Sequence, residues 1–347
     1  MLPPLPPRIP LARLPTPLEP SPRLGAELGL ELLYKRDDLT GLELSGNKAR
    51  KLEFLIAEAE RQGADTLVTC GGVQSNHCRA TAFAAAKRGL GCVVLLRVAD
   101  PSRPPPLEAN SLLDRLAGAE LRWISHEGYR RRAEAMAEIA AELRAAGRRP
   151  YVIPEGGSSA LGSLGYVLAV AELRDQLPEA WRTGPVTVAY AAGSGGTGAG
   201  IEMGVRLLGW RDARVVGFAV CNDAPYFRDA IAAICADARR QWPAFPEVGA
   251  EEVRIDDGFV GPGYAQATRE GLALIHRAAR LDGVLLDPVY TGKAMLGVAG
   301  RAGDPAGPLS RRVVLFHTGG AFGTFPFAPS LAGEATSGWP ADPPGLM

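Results

Sequence analysis

At 347 residues the chain is long enough for two ordinary domains or one large α/β unit. Its 38 lysines and arginines balance 38 aspartates and glutamates, so no basic excess draws it to nucleic acid or to an anionic membrane, and a small neutral or zwitterionic ligand fits better. No run approaches ~18 uninterrupted apolar residues and Met1 to Pro7 hold no secretory apolar segment, so a soluble cytoplasmic protein is expected.

Residues 1 to about 30 are proline-rich and read as irregular surface wrapping. Residues 30–37 form a strand-like piece leading to the turn Ser45-Gly46-Asn47-Lys48-Ala49-Arg50-Lys51. Beyond it Leu52, Leu55, Ile56 and Ala59 recur at i, i+3, i+4 and i+7, which predicts a helix over about 49–62 with Gly63 as its stop. Lys48 therefore falls at a helix N-terminus, where the positive end of the dipole disfavours an ammonium ion and burial disfavours it further. A free amine of that kind is what a Schiff-base lysine requires, and only Lys35, Lys51, Lys87 and Lys293 compete for the role.

The same beat of strand and helix continues. Strands are predicted at 66–70, 92–96, 120–124 and 151–153, with helices at about 77–88, 109–117 and 129–146 between them. A second set follows: a helix over 163–177 closed by Pro178, strands at 186–190 and 215–220, helices at 224–240 and 263–280, and a last strand at 313–317. From Pro326 the composition suggests a loose tail. Such alternation means a mostly parallel sheet covered by helices on both faces. The five cysteines (Cys70, Cys78, Cys92, Cys221, Cys235) are odd in number and form no C-x-x-C pair, and the four histidines show no ligand spacing, so buried thiols in a reducing compartment and no metal are expected.

Ligands of open α/β sheets bind outside the carboxyl ends of the strands, and four loops stand there. Gly193-Ser194-Gly195-Gly196-Thr197-Gly198 follows an apolar strand and opens a helix, so its N–H groups would converge on a phosphate. It also matches G-x-G-x-x-G, and a nicotinamide site would use Asp223 as the acidic partner. Gly71-Gly72-Val73-Gln74-Ser75-Asn76-His77 can present N–H groups and hydroxyls to a carboxylate, or supply an ordinary N-cap. Asp287-Pro288-Val289-Tyr290-Thr291-Gly292-Lys293 offers a flat ring and a hydroxyl, and His317-Thr318-Gly319-Gly320 permits close backbone approach, though each could be a plain turn.

Together these segments, with Lys35-Arg36-Asp37-Asp38, resemble in order and spacing the pyridoxal-phosphate enzymes of the tryptophan-synthase-β fold type, and within it the D-cysteine desulfhydrase and 1-aminocyclopropane-1-carboxylate deaminase family. The match runs from about Lys35 to Gly320. The resemblance implies two open, mostly parallel twisted sheets with helices on both faces. A large domain (1–50 plus 164–330) and a small one (51–163) would hold the cofactor in the cleft between them, with an irregular tail at 331–347. It implies a homodimer, a small amino-acid substrate and pyridoxal 5'-phosphate as cofactor.

By the same likeness Lys48 carries the cofactor, Gly193, Ser194, Gly195, Gly196 and Thr197 cradle its phosphate, and Asn76 hydrogen-bonds its phenolic oxygen. Tyr290 lies against the ring, Ser75, Asn76 and His77 bind the substrate carboxylate, and Tyr264 stands near the substrate. The segment after Tyr264, Ala-Gln-Ala-Thr-Arg-Glu, departs from the more proline- and asparagine-containing run of the family. The ring-opening deaminases of the family look different at two positions near the pyridine nitrogen, where this chain has Thr291 and Thr318. Neutral hydroxyls there weaken the ring as an electron sink, which suits β-elimination of a good leaving group better than carbon–carbon cleavage. Pyruvate, sulfide and ammonia from D-cysteine is the expected reaction, with Lys48 or Ser75 as the Cα base. The deaminase reaction is the runner-up, then a racemase or dehydratase; a nicotinamide-dependent oxidoreductase or a non-catalytic cofactor-binding protein lies outside the class.

Overall fold

The alternating apolar runs resolve into two sheets. The structure, a computed structural model, describes residues 2–336. In chain order its elements are β1 (Leu18–Pro20), α1 (Pro22–Leu28), β2 (Glu31–Lys35), α2 (Lys48–Arg61), β3 (Thr66–Gly72), α3 (Asn76–Lys87), β4 (Gly91–Val98), α4 (Ala109–Leu116), β5 (Glu120–Ser125), α5 (Arg132–Ala145) and β6 (Pro150–Val152). There follow α6 (Ala160–Gln176), α7 (Glu179–Arg182), β7 (Val186–Ala192), α8 (Gly196–Leu207), β8 (Ala213–Ala219), α9 (Ala224–Gln241), β9 (Ile255–Asp256), α10 (Arg269–Asp282), α11 (Thr291–Arg301), β10 (Arg312–Phe316) and α12 (Ala328–Thr336).

The smaller sheet has four parallel strands in the order β5-β4-β3-β6, and the larger has six in the order β1-β2-β10-β7-β8-β9, parallel except for β1. Buried on both faces, these strands read as near-continuous apolar runs, yet successive side chains still go to opposite cores. In β4, Cys92, Val94 and Leu96 pack with Leu52, Leu55 and Ile56 of α2, while Val93 and Leu95 pack with Met136 and Ile139 of α5. In β7, Val186, Val188 and Tyr190 face the core shared with α6, α8 and α9, and Ala189 and Ala191 face the one shared with α10 and α11. The helix face Leu52, Leu55, Ile56 and Ala59 is buried as its periodicity requires.

Besides α7 and β9, which no predicted element covers, and the irregular stretch before Asp287, where a strand end was expected, the structure departs from the sequence pattern at three places. Residues 1–30 are not wholly irregular: β1 pairs antiparallel with β2, and α1 caps the same edge, ended by Gly29. Only the partner strand reveals β1, because three residues carry no period of their own. The helix expected from 263 starts at Arg269, where Thr268 accepts a hydrogen bond from Gly271 N, and Gly261-Pro262-Gly263 keeps the preceding stretch as loop. The expected tail is helical as α12 up to Thr336; its remainder, 337–347, lies outside the described residues.

Candidate active site

The loops that leave β3 and β6 in the small sheet face those that leave β7 and β10 in the large one across a cleft of about 710 Å3, counted out to open solvent. Helices α2, α3 and α8 begin at this cleft, so three positive helix ends converge on it.

The turn before α8 supplies the anion cradle. Gly195 takes φ of +85°, open to glycine at little cost, and turns the chain so that the first N–H groups of α8 face the cleft. A Cβ on Gly196 would lie 2.8 Å from Ser158 Oγ and 3.0 Å from Lys51 Nζ, so the loop has no room for a side chain and a buried amine stands beside it. Asn47, at the N-cap of α2, does not cap that helix; its Nδ2 donates to Thr197 Oγ1 at 3.0 Å, which leaves the Thr197 hydroxyl proton for a ligand.

Lys48 opens α2 and lines the cleft, and its Nζ has no hydrogen-bond partner among the described residues. Burial draws its pKa down to about 8, against the opposing charge of Glu155, so roughly a tenth of it is neutral at pH 7, far more than for an exposed lysine. Lys51, one turn on, is fully buried; burial and then the charge of Lys48 hold its pKa well below the usual value, and its Nζ donates to Gly156 O at 3.2 Å.

Facing them is the start of α3. Ser75 is its N-cap, accepting from Cys78 N at 3.2 Å, so its hydroxyl proton remains free for the cleft. Asn76 Oδ1 accepts from Arg79 at 3.4 Å and from Asn110 at 3.2 Å, which fixes the carboxamide and leaves its NH2 as the donor toward a ligand. His77 is held neutral by burial and by the nearby Lys48 and Lys51. Its Nε2 meets Thr69 Oγ1 at 2.8 Å, and that hydroxyl in turn donates to Ile153 O, so Nδ1 is left a bare acceptor with no partner.

Tyr290 and Tyr264 close the third side, their hydroxyls 2.6 Å apart and their rings edge to face. Lys293 Nζ donates to the carbonyls of Val220, Val260 and Gly263 and so pins the loop that presents Tyr264. Thr318 lines the cleft, but Thr291 does not. The Thr291 hydroxyl donates to Asp287 Oδ1 at 2.7 Å and accepts from Asp287 N at 2.8 Å, so both its functions are used within its own turn.

Of the residues singled out from the sequence, the structure brings Lys48, Ser75, Asn76, His77, Gly193, Ser194, Gly195, Thr197, Tyr264, Tyr290 and Thr318 to one cleft, with Gly196 just behind the wall. Thr291 stays apart. Asp223, the candidate ribose acceptor, caps α9 by accepting from Tyr226 N at 3.0 Å. One participant escaped the sequence reading. Glu155, the one carboxylate among the residues lining the cleft, is bound to Tyr129 OH at 2.7 Å and Arg132 Nε at 2.9 Å. Lys51, named from the sequence only as a competitor for the Schiff-base role, stands instead beside the glycine loop; its spacing of three from Lys48, on the same face, was the available signal. A free amine, an anion cradle with a second amine beside it, a fixed amide donor and a flat tyrosine ring fit pyridoxal phosphate in chemistry.

Comparison with known proteins agrees with this chemistry. The profile of the family described as "Pyridoxal-phosphate dependent enzyme" matches residues 9–319. The chain is 42% identical over 323 residues to the mitochondrial bifunctional D-cysteine desulfhydrase/1-aminocyclopropane-1-carboxylate deaminase of Arabidopsis thaliana, covering 91% of this chain and 78% of that one. It is 40% identical over 327 residues to the D-cysteine desulfhydrase of Klebsiella pneumoniae (strain 342), covering 94% and 97%. A crystal structure titled as that of an ACC deaminase homologue superposes with a TM-score of 0.85 at 36% identity, over 94% of this chain and 96% of that one.

Proposed function

The chain belongs to the pyridoxal-phosphate dependent enzymes, and from that premise we propose that it eliminates the β-substituent of a small amino acid, converting D-cysteine and water to pyruvate, sulfide and ammonia. The observation that carries this reading is the large-sheet wall of the cleft, where Thr318, Tyr290, Thr197 and Ser194 offer only neutral groups.

Pyridoxal phosphate, when bound, supplies an aldehyde that condenses with amines and a ring that accepts electrons from Cα. Lys48 would hold it covalently, with the 193–197 loop and Lys51 at its phosphate and the Asn76 NH2 at its phenolic oxygen. The N-terminus of α3 and the Ser75 hydroxyl receive the substrate carboxylate. Lys48 Nζ, its pKa lowered by burial, takes the Cα proton, with Ser75 as the alternative base. Of the two tyrosine hydroxyls only one proton is spent on their mutual hydrogen bond, so the other is available to the departing sulfur.

We take residues 1–50 and 164–330 as the large domain and 51–163 as the small one. A homodimer in the cytoplasm completes the reading. Leu112, Leu116 and Phe325 leave apolar surface on α4 and the segment after β10, and the five free thiols suit a reducing compartment. No described helix is long and apolar enough to cross a membrane.

Side-by-side assay of D-cysteine, L-cysteine, D-serine and 1-aminocyclopropane-1-carboxylate tests the proposal. Pyruvate should form fastest from D-cysteine. Lys48→Ala should lose at least about 1,000-fold in rate and yield no borohydride-trapped cofactor, and a trapped adduct persisting in that variant would move the amine elsewhere. The Arabidopsis relative carries both activities in its name, so the same assay read for 2-oxobutanoate decides whether ring opening accompanies elimination.

A further inference from the structure

A second hollow adjoins the cleft and shares Glu155, Gly193, Ser194 and Tyr264 with it. Its walls carry the arginines Arg97, Arg130 and Arg132 against a single carboxylate, Glu155, which already holds Arg132 at 2.9 Å. The chain as a whole is neutral, so this excess is local. Arg97 stands at the junction. It pairs in register with Gly72 on β3, and its Nη2 comes within 4.0 Å of the point where a Gly72 Cβ would sit, beside the loop that receives the substrate carboxylate. Its guanidinium lies 5.0 Å from the ring centroid of Tyr129 and 5.5 Å from that of Tyr264. None of its five N–H donors meets a protein acceptor among the described residues, and it has no carboxylate partner there. Stacking on rings fixes the plane of a guanidinium while leaving its donor edge open, the arrangement suited to an oxyanion.

We infer that Arg97, backed by Arg130, forms a specificity subsite for a negatively charged β-substituent, so that the enzyme accepts β-substituted alanines ending in a phosphoryl or sulfuryl group. The inference rests on the proposed β-elimination. The α-carboxylate is served by Ser75 and the start of α3, which leaves the Arg97 charge for the far end of the substrate. With O-phosphoserine the Cα–H bond breaks with its proton going to Lys48, and the Cβ–O bond breaks with its electron pair leaving on phosphate. Water then releases ammonia and pyruvate, with no net oxidation.

The test compares kcat/KM for O-phosphoserine, in both enantiomers, with that for D-cysteine in the cofactor-loaded enzyme, in Arg97→Gln and in Arg97→Lys. Line broadening of the O-phosphoserine phosphorus resonance gives a readout independent of turnover. The wild-type protein should broaden the signal and turn the phosphoamino acid over with a KM that rises with salt. Arg97→Gln should lower the O-phosphoserine to D-cysteine ratio of kcat/KM roughly 10- to 100-fold, mainly through KM, with part of the loss restored by lysine. If D-cysteine is consumed while O-phosphoserine neither reacts nor broadens, or if the ratio in Arg97→Gln stays within about twofold of wild type, the subsite is wrong and the elimination reading stands. If no β-substituted amino acid reacts, the elimination reading itself fails and takes the subsite with it.

Discussion

Arg50 and Lys51 are neighbours on α2 and both are buried, yet they face regions that handle charge in opposite ways. On the Arg50 side every charge is answered. Arg50 donates to both oxygens of Asp37 at 2.8 and 2.9 Å and to Glu172 at 2.8 and 3.0 Å, while Tyr166 and Thr16 complete Asp37 at 2.7 and 2.8 Å. Lys35 adds bonds to Glu172, Gln176 and Thr16 O. Burial pushes the Glu172 carboxyl up, but Arg50 and Lys35 outweigh it and hold it down at about 2. On the cleft side Lys48 and Lys51 have no carboxylate within bonding distance among the described residues, and both are depressed. A low-dielectric interior strengthens answered charges and penalises unanswered ones, so the same burial locks one face of the helix and primes the other.

The largest effect should come from spoiling the answered side. Asp37→Asn leaves Arg50 buried with half its partners and should cost about 3–5 kcal/mol in urea unfolding; a loss below about 1 kcal/mol would mean that the cluster is not what holds α2. Next comes the unanswered side, through pH. Lys48 has a folded pKa of about 8 against 10.5 in the unfolded chain. Below pH 8 the ammonium is charged in both states and the fold bears the full penalty. Between pH 8 and 10.5 the unfolded chain binds more protons, so stability rises with pH. The gap by which cofactor-free Lys48→Met exceeds wild type should therefore close by up to about 3 kcal/mol across that window, measured by urea unfolding at several pH values. The smallest effect sharpens the contrast. Lys51→Met should leave the stability of the cofactor-free protein unchanged or slightly raised, yet weaken pyridoxal phosphate binding roughly 10- to 100-fold in equilibrium dialysis.

The parallel sheets and α2 were legible because burial on two faces and a 3.6-residue period leave marks in a single stretch of sequence. The place of Lys48 at the start of α2 was legible for the same reason, while its choice over the other four lysines came from the resemblance to the family. Elements defined by distant partners were not. The three residues of β1 are a strand only beside β2, and the two of β9 only beside β8. Glu155 could be seen at the end of a predicted strand, but its place in the cleft depends on the meeting of two sheets. Thr291 shows the converse: its hydroxyl looked available in sequence, and the turn from Asp287 to Thr291 had already claimed it through Asp287.

The Lys293 clamp carries a lesson about how such a site can diversify. One ammonium gathers the carbonyls of Val220, Val260 and Gly263, so the loop leading to Tyr264 is held by backbone atoms that every residue possesses. Gly263 is held there without calling on any side chain of the loop, whereas Thr268, further on, stays committed to capping α10. The residues between Gly263 and Thr268 can therefore change, and reshape what reaches Tyr264, while the clamp and the cap hold the two ends of the stretch.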